Sequence, residues 1–244
     1  NGISVAGTAL SVAAVMLVYL VYQVNFSAYA PESNRYRILF VNSLQACGSD
    51  GNPINNGGMS HKVVRECLYP LQTPEAVTAF TDRQLPVNIR GQQFYDKYTI
   101  EFTDDGFWKV FDFTFLSGVP FTHADWESGI RQAVISDKLA RKLFGTVEAT
   151  GQTLRMNYAD YQICGVVKEV SQAAENAYGD VWVPYTVNSS LLKENVNYCE
   201  GTTGEFTSCI LARSSSDFEP IRKEMLKLQA AFNASLTNTK LDYM

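Results

Sequence analysis

The sequence lacks the motifs with which proteins usually bind a nucleotide phosphate. It contains neither a G-x-x-x-x-G-K-[ST] loop nor a G-x-G-x-x-G turn. A G-x-S-x-G nucleophile turn is also missing, and no cysteine lies beside a candidate base. We therefore predict a non-catalytic chain that binds no cofactor. Any ATP hydrolysis on which it depends belongs to another domain or chain.

Histidine is scarce, which argues against a metal site. His61 and His123 are the two histidines, and they are too far apart to have metal-ligand spacing. We expect a solvent-exposed or packing role for both. Two close acidic pairs are interpreted in the same way, as helix caps or solvated turns: Asp104 with Asp105, and Asp125 with Glu127.

The chain also lacks a basic excess. Lys and Arg number 20 against 25 Asp and Glu, which gives a net charge of −5 and no cationic surface for nucleic acid. Aromatic residues are frequent instead, with 13 Tyr and 14 Phe. Because aromatic side chains favour strands, this composition predicts a domain rich in β-sheet.

One long uncharged run stands at the N-terminal end, over residues 3–22. A helix of this length spans roughly 30 Å, the thickness of the hydrocarbon core of a bilayer. We predict a transmembrane helix over residues 1–24 and a connector over 25–34. Gly7 and Ser11 form a small-xxx-small pair on which another membrane helix can pack.

Two alternatives to the transmembrane helix remain open, a cleaved signal peptide and a buried core helix. Ala28-Tyr29-Ala30 fits a signal-peptide cleavage site. Against it, the apolar run is long for a signal peptide, and Pro31 directly after the cut hinders a protease.

Five cysteines suggest an oxidising compartment. Cys47 and Cys67 flank a loop rich in Gly, Asn and Ser, and Cys199 and Cys209 flank a second loop. We predict a disulfide across each loop, with five reduced cysteines as the alternative. Cys164 lies in an apolar stretch and is predicted to be a buried free thiol.

The pattern along the soluble part is typical of an α+β fold with mixed sheets and short helices. Strands are predicted at 36–41, 61–68, 85–102, 133–135, 180–184 and 209–212, with a hairpin at 153–157 and 161–170. Helices are predicted at 73–80, at 136–144 ending at Gly145, and after a Ser216–Glu219 capping box. Residues 46–60 are predicted to be an exposed loop and 90–92 a tight turn.

Four stretches in the middle of the chain resemble the periplasmic core domain of MacB-type ABC transporter permeases, a family that includes FtsX and the lipoprotein-releasing permeases. The stretches, in the order of the family, are FWKVFDF with LSGVPF (107–121), QAVISDKLARKLFG (132–145), GQTL with CGVVK (151–168) and DVWVPYT (180–186). Each is short and unspecific alone. Four in order, behind a single apolar run, together form a more specific signal.

The resemblance implies an architecture of two mixed α/β subdomains, the second inserted in the first. The larger would comprise residues 35–103 and 186–235, and the inserted smaller one residues 104–185. Residues 236–244 would form a tail toward the next membrane helix.

The resemblance also implies a function. The chain would be the periplasmic part of a permease subunit in the bacterial inner membrane, coupling ATP-driven helix motion to export or extraction of a substrate. Its partners would be an ABC ATPase subunit, a second permease copy, and a periplasmic adaptor or outer-membrane component. The alternative is an extracellular ligand-sensing domain of a single-pass membrane receptor, which would contain a concave, partly apolar pocket.

Overall fold

The computed structural model describes residues 2–26, 29–89 and 96–243. Its helices are α1 (Gly2–Phe26), α2 (His61–Val63, continued by a π-helical turn over Val64–Leu68), α3 (Phe107–Val110), α4 (His123–Ser128), α5 (Asp137–Phe144) and α6 (Phe218–Asn233). Its strands are β1 (Ile38–Val41), β2 (Leu44–Gly48), β3 (Pro53–Gly57), β4 (Ala76–Asn88), β5 (Asp96–Thr103), β6 (Phe115–Gly118), β7 (Gln132–Ser136), β8 (Thr153–Met156), β9 (Ala159–Val167), β10 (Val181–Pro184), β11 (Thr207–Leu211) and β12 (Thr239–Tyr243).

The described strands form a mixed sheet of nine strands and a small antiparallel sheet of three. The large sheet has the order β1-β11-β4-β5-β10-β7-β9-β6, and β8 pairs with both β4 and β9. Strand β4 is long enough to have different partners at its two ends. Residues 76–80 pair with β11, and residues 81–87 pair with β5. The fold is therefore α+β with a mixed sheet, as the sequence pattern predicts.

Helices cover both faces of the large sheet. Along β10 the side chains alternate, so Val181 and Val183 belong to one core and Trp182 to the other. Helix α6 packs Ile221, Met225 and Phe232 into the first core. The second core is largely aromatic and is covered by α3 through residues Phe107 and Val110.

Several elements agree with the sequence pattern because their signals are local. Ser136 accepts a hydrogen bond from the Leu139 amide at the start of α5, and Gly145 ends that helix at φ 73°. The hairpin of β8 and β9 turns at Asn157 and Tyr158, which both have positive φ. Helix α6 is also present, but the capping box lies in the short 3₁₀ turn before it and is formed by Ser214 and Asp217 rather than by Ser216 and Glu219.

Two predicted elements differ from the structure in their type of secondary structure. Residues 61–68, predicted as a strand, are helical, and residues 76–80, predicted as part of a helix, belong to β4. Val63, Val64, Cys67 and Leu68 are all buried, a spacing that fits one face of a helix. The β-branched valines suggested a strand, but packing on the sheet outweighs that weak preference.

The small sheet corrects two further predictions. Residues 46–60 are not simply a loop, because they contain part of β2 and all of β3. Residues 236–244 are not simply a tail, because β12 pairs with β2 from Thr239↔Gly48 to Tyr243↔Leu44. The pairing of β2 with β12 has no local sequence signal, because the two strands lie far apart along the chain.

The predicted subdomain boundaries do not interrupt the large sheet. Strand β5 ends at Thr103, in the predicted larger subdomain, and pairs in parallel with β10 of the predicted inserted one. The predicted connector 25–34 includes the last residues of α1 and, from Tyr29 onward, a series of turns. The predicted turn at residues 90–92 lies outside the described residues.

Candidate functional site

A cleft of about 370 Å³ is lined by residues that lie between positions 69 and 126 of the chain. It lies between the residues before β4, the turn after β5 and the start of α4. The charged and titratable side chains of its lining are Glu75, Asp104, Asp105, Lys109 and His123, with Tyr69 and Trp126 as aromatic walls.

Asp104 is the buried polar centre of this cleft. It follows the last residue of β5 and is 3% exposed. Its carboxylate accepts four hydrogen bonds, from the Tyr69 hydroxyl at 2.5 Å, the Thr78 hydroxyl at 2.6 Å, and the amides of Ala79 at 2.9 Å and Phe107 at 3.1 Å. The last of these begins α3, so Asp104 does act at a helix start, as the sequence pattern predicts.

A chain of hydroxyl groups extends from Asp104. The Tyr69 hydroxyl lies 2.8 Å from the Tyr185 hydroxyl, so Tyr69 bridges Asp104 and Tyr185. Asp104 and Tyr185 are the first and last residues of the predicted inserted subdomain. The network therefore ties together the two points at which the chain enters and leaves that segment.

Burial dominates the electrostatics of this network. Desolvation raises the pKa of Asp104 from 3.8 to about 6, although the Thr78 and Tyr69 hydroxyls act in the opposite direction. Burial, with the neighbouring Asp104 charge, also raises the pKa of Tyr69 and of Tyr185. Both tyrosines therefore stay protonated, so Tyr69 can donate to the carboxylate and share a hydrogen bond with Tyr185.

A second group of charges lines the rim of the cleft. His123 Nδ1 lies 2.8 Å from Asp105 Oδ1, and this hydrogen bond raises the pKa of His123. Lys109 lies 3.9 Å from the same carboxylate. The His123 ring packs beside Trp126 with the ring centroids 5.2 Å apart. The rim charges are thus paired with one another rather than aimed into the cleft.

The arrangement favours a structural role over acid–base chemistry. Four donors already occupy the Asp104 carboxylate, so it can take a proton from a ligand only by losing one of them. Within the described residues, no three His, Cys, Asp or Glu side chains are grouped to hold a metal ion. Asp125 forms a capping box with Thr122 at the start of α4, as expected for that acidic pair. His61 packs edge-on to Tyr185, at a centroid distance of 5.6 Å.

Neither predicted disulfide, Cys47–Cys67 or Cys199–Cys209, is formed in the structure. Cys47, Cys199 and Cys209 are free thiols. Cys199 belongs to the core on one face of the large sheet and Cys209 to the core on the other face, so the sheet separates them. Cys47 lies on β2, whereas Cys67 is buried in the π-helical turn after α2. Cys164 is half-buried, and burial raises the pKa of its thiol to about 12.

Gly7 and Ser11 lie one helical turn apart on α1, where the Ser11 hydroxyl donates to the Gly7 carbonyl at 2.9 Å. Every side chain described on α1, from residue 7 to 21, is exposed. Among the residues that the structure describes, no helix combines the length and apolar character of a membrane span.

A feature that the sequence pattern did not indicate is the attachment of residues 31–37, which we call the collar. The Asp112 amide donates to the Pro31 carbonyl at 2.7 Å, and the Ser33 hydroxyl donates to the Asp112 carboxylate at 2.7 Å. The Arg37 guanidinium donates to the carbonyls of residues 212 and 213 and to Glu75, each at 3.0 Å. The collar is thus bound to the turn after α3 and to the end of β11.

Comparison with known proteins identifies the family. The sequence model of the MacB-like periplasmic core domain matches residues 2–228. The chain belongs to this family. The resemblance seen in the four sequence stretches is therefore confirmed. The residues of the polar network carry no such sequence signal, because Tyr69 and Tyr185 are far apart along the chain and each looks like any core aromatic.

Individual relatives agree with this assignment. An uncharacterized ABC transporter permease, YknZ of Bacillus subtilis (strain 168), is 26% identical over 130 residues, which cover 53% of this chain and 31% of that protein. The chain thus spans about a third of the length of that relative.

Two solved structures share the fold. The extracellular domain of the noncanonic ABC-type transporter YknZ from Gram-positive bacteria has a TM-score of 0.57 at 19% identity, covering 82% of this chain and 98% of that one. The periplasmic region of MacB from Actinobacillus actinomycetemcomitans has a TM-score of 0.53 at 11% identity, covering 83% and 88%.

Proposed function

We propose that the chain is the extracytoplasmic part of an ABC transporter permease and transmits motion between the membrane and the space outside it. It acts as a lever, by which we mean a rigid folded domain that moves together with the membrane helix. It catalyses no reaction and binds no cofactor. The ATP is bound and hydrolysed by an ABC ATPase partner. A second permease copy supplies the matching domain, and an adaptor or outer-membrane component can engage the assembly in the periplasm.

In this proposal α1 is the helix that crosses the bacterial inner membrane. Support comes from the sequence, in which residues 3–22 are uncharged. The exposure of the side chains at 7–21 is consistent with it, since large apolar groups such as Leu10 and Val15 are 77% and 68% exposed. Gly7 and Ser11 then offer a small-residue surface for a further membrane helix.

The observation that carries the proposal is the collar. A lever requires that motion of the helix reach the domain rather than be absorbed by a slack linker. Residues 31–37 begin shortly after α1 and are hydrogen-bonded at both ends. Arg37 is the firmest of these attachments, because its guanidinium bonds two carbonyls and the Glu75 carboxylate, besides Asn34 at 2.9 Å.

The cleft does not favour the alternative of a ligand-sensing domain. Its buried carboxylate already has four protein donors, and its rim charges are paired internally. A sensor site would be expected to leave convergent polar groups available to the ligand.

The full-length transporter with its ATPase, reconstituted in lipid nanodiscs, tests the proposal. A spin label at Tyr158→Cys in each permease copy would report the separation of the two domains, because Tyr158 is 86% exposed. We expect ATP to change the measured distance, and a hydrolysis-deficient ATPase to arrest the cycle. An ATP-independent distance in the wild-type assembly would contradict the proposal.

The variant Arg37→Ala tests whether the collar transmits the motion. ATP hydrolysis should continue while the ATP-dependent change in distance shrinks, because the helix is no longer firmly tied to β11. Arg222→Ala is the matched control, since Arg222 contacts Glu219 on the exposed surface of α6. It should leave the distance change intact.

A further inference from the structure

One carboxylate binds the beginning of the C-terminal strand. Glu200 accepts hydrogen bonds from three successive backbone amides, those of Thr237 at 2.9 Å and of Asn238 and Thr239 at 2.8 Å each. These amides form the turn that leads from α6 into β12. Hydrogen bonds from the Thr237 and Asn238 amides lower the pKa of Glu200, so the carboxylate stays ionised at neutral pH. We call these four residues the latch.

The latch is built on a strained turn. Cys199, Glu200 and Gly201 have φ values of 46°, 50° and 74°, all in the left-handed region. For the two residues that are not glycine this conformation is unfavourable, and it persists only where the surrounding contacts impose it. The turn is imposed by its neighbours, because the Thr202 amide and hydroxyl both donate to the Cys199 carbonyl.

The strained turn is anchored in the domain. The Ser60 amide, at the start of α2, donates to the Thr202 carbonyl at 3.0 Å. Two further bonds join Met59 and Phe206 in both directions. A pull on the amides of residues 237–239 therefore reaches α2 and the core through Glu200, in addition to the pairing of β12 with β2.

Side chains replace a neighbouring strand on the other edge of β12. The Asn233 side chain donates to the Leu241 carbonyl at 3.0 Å and accepts from the Leu241 amide at 2.8 Å. The Gln229 amide donates to the same carbonyl. With β2 on its other side from Thr239 onward, β12 is held along its length by strand pairing and by α6, and Glu200 adds a further attachment at its beginning.

We propose that Glu200 is a positioning residue that fixes the beginning of the C-terminal strand to the domain, as the collar fixes the N-terminal segment. The chain then has two firm attachments to the parts that would connect it to the membrane. The strand-fixing role stands on the contacts alone, whereas the role in transmitting motion rests on the proposed function.

Hydrogen exchange of the whole chain tests the strand-fixing role. In Glu200→Gln, the amides of Lys240 and Leu241, which do not contact Glu200, should exchange about tenfold faster or more, because the strand opens from its beginning. Exchange in β4 and β5 should stay unchanged. Equal exchange in wild type and variant at Lys240 and Leu241 would overturn the proposal, and so would a uniform rise across the domain.

The chain offers a matched control in Glu224. This half-buried carboxylate also accepts backbone amides, those of Gln72 at 2.8 Å and Thr73 at 3.1 Å, but it ties α6 to the loop before β4. Glu224→Gln should therefore speed exchange at residues 72–73 and leave β12 protected. Loss of protection at β12 in both variants would show a general destabilisation and overturn the specific role of Glu200.

The assembled transporter tests the second role. With the Tyr158→Cys label, Glu200→Gln should reduce the ATP-dependent distance change while ATP hydrolysis continues, and Glu224→Gln should not. If the wild type shows no ATP-dependent change, the proposed function fails while the exchange result still decides the latch. If the wild type responds and Glu200→Gln responds equally, the transmitting role of the latch is wrong.

Discussion

At the scale of single residues, the most unusual group is the buried Asp104 carboxylate. Its four hydrogen-bond donors are hydroxyls and backbone amides, so dipoles rather than a directly bonded cation stabilise its charge. Such a network is stable when every member is satisfied, as it is here for Asp104. The cost of burying the charge nevertheless raises the pKa of Asp104 to about 6.

This raised pKa predicts a pH-dependent stability. The folded chain binds the Asp104 proton more tightly than the unfolded chain does. The stabilising contribution of this proton to the free energy of unfolding is therefore fully present below about pH 4 and is lost as the pH rises to about 6. Asp104→Asn removes this titration. The free energy of unfolding of Asp104→Asn, relative to wild type, should therefore rise by about 2.5 kcal/mol from pH 4 to pH 7 in urea titrations.

Asp50→Asn is the control for this prediction. The Asn52 amide lowers the pKa of Asp50, which is exposed, so its stabilising contribution is present at neutral pH and is lost on acidification. Because this loss falls below the ordinary pKa of 3.8, the stability of Asp50→Asn relative to wild type should stay nearly constant from pH 4 to pH 7. A flat difference between wild type and Asp104→Asn from pH 4 to pH 7 would show that Asp104 titrates normally.

At the scale of elements, β6 depends on one glycine. Gly118 has φ 67°, and a Cβ at this position would lie 2.1 Å from the Cys164 carbonyl oxygen. A side chain therefore meets backbone atoms of β9, the strand with which β6 pairs. Glycine is required here both for its conformation and for the close approach of the two strands.

Gly145 is the matched comparison, because it has φ 73° with open space around a Cβ. Gly145→Ala should cost about 1–2 kcal/mol of unfolding free energy, the strain of a left-handed alanine. Gly118→Ala should cost about 3 kcal/mol or more, since β6 must also move away from β9. Chemical denaturation of both variants gives the comparison, and equal losses would show that β6 adapts without separating from β9.

At the scale of the whole molecule, the continuous large sheet predicts cooperative unfolding. The family resemblance implies an inserted subdomain over 104–185, yet β5 and β10 pair across that boundary. The Asp104–Tyr69–Tyr185 network ties the same boundary on both sides. We therefore expect the two parts to lose structure together.

Tryptophan fluorescence makes this testable. All three tryptophans, Trp108, Trp126 and Trp182, lie within residues 104–185. Their fluorescence follows the predicted inserted part, whereas the loss of hydrogen-exchange protection in β1 and β11 follows the rest. The two probes should have the same denaturant midpoint. A lower midpoint for fluorescence would show that the inserted part unfolds independently.

Much of the candidate site could not be predicted from the sequence. The sequence pattern places Asp104 at a helix start, where it lies, but does not indicate its partners Tyr69 and Tyr185. The Tyr69–Tyr185 hydrogen bond joins residues 116 positions apart. No spacing along the chain signals such a contact, and a tyrosine in an apolar stretch is equally compatible with plain core packing.

By itself, the sequence determined the features whose causes are local. They include the cap and stop of α5, the hairpin of β8 and β9, the apolar face of α6, the uncharged run at 3–22 and the order of motifs that marks the family.

Tertiary structure alone decided that residues 61–68 are helical, that residues 76–80 are a strand, and that β2 pairs with β12. It also decided the collar, the latch and the Asp104 network. The physical reason is common to all of them: their hydrogen bonds and buried contacts are made to residues distant in sequence, and such contacts outweigh the small intrinsic preferences of the residues themselves.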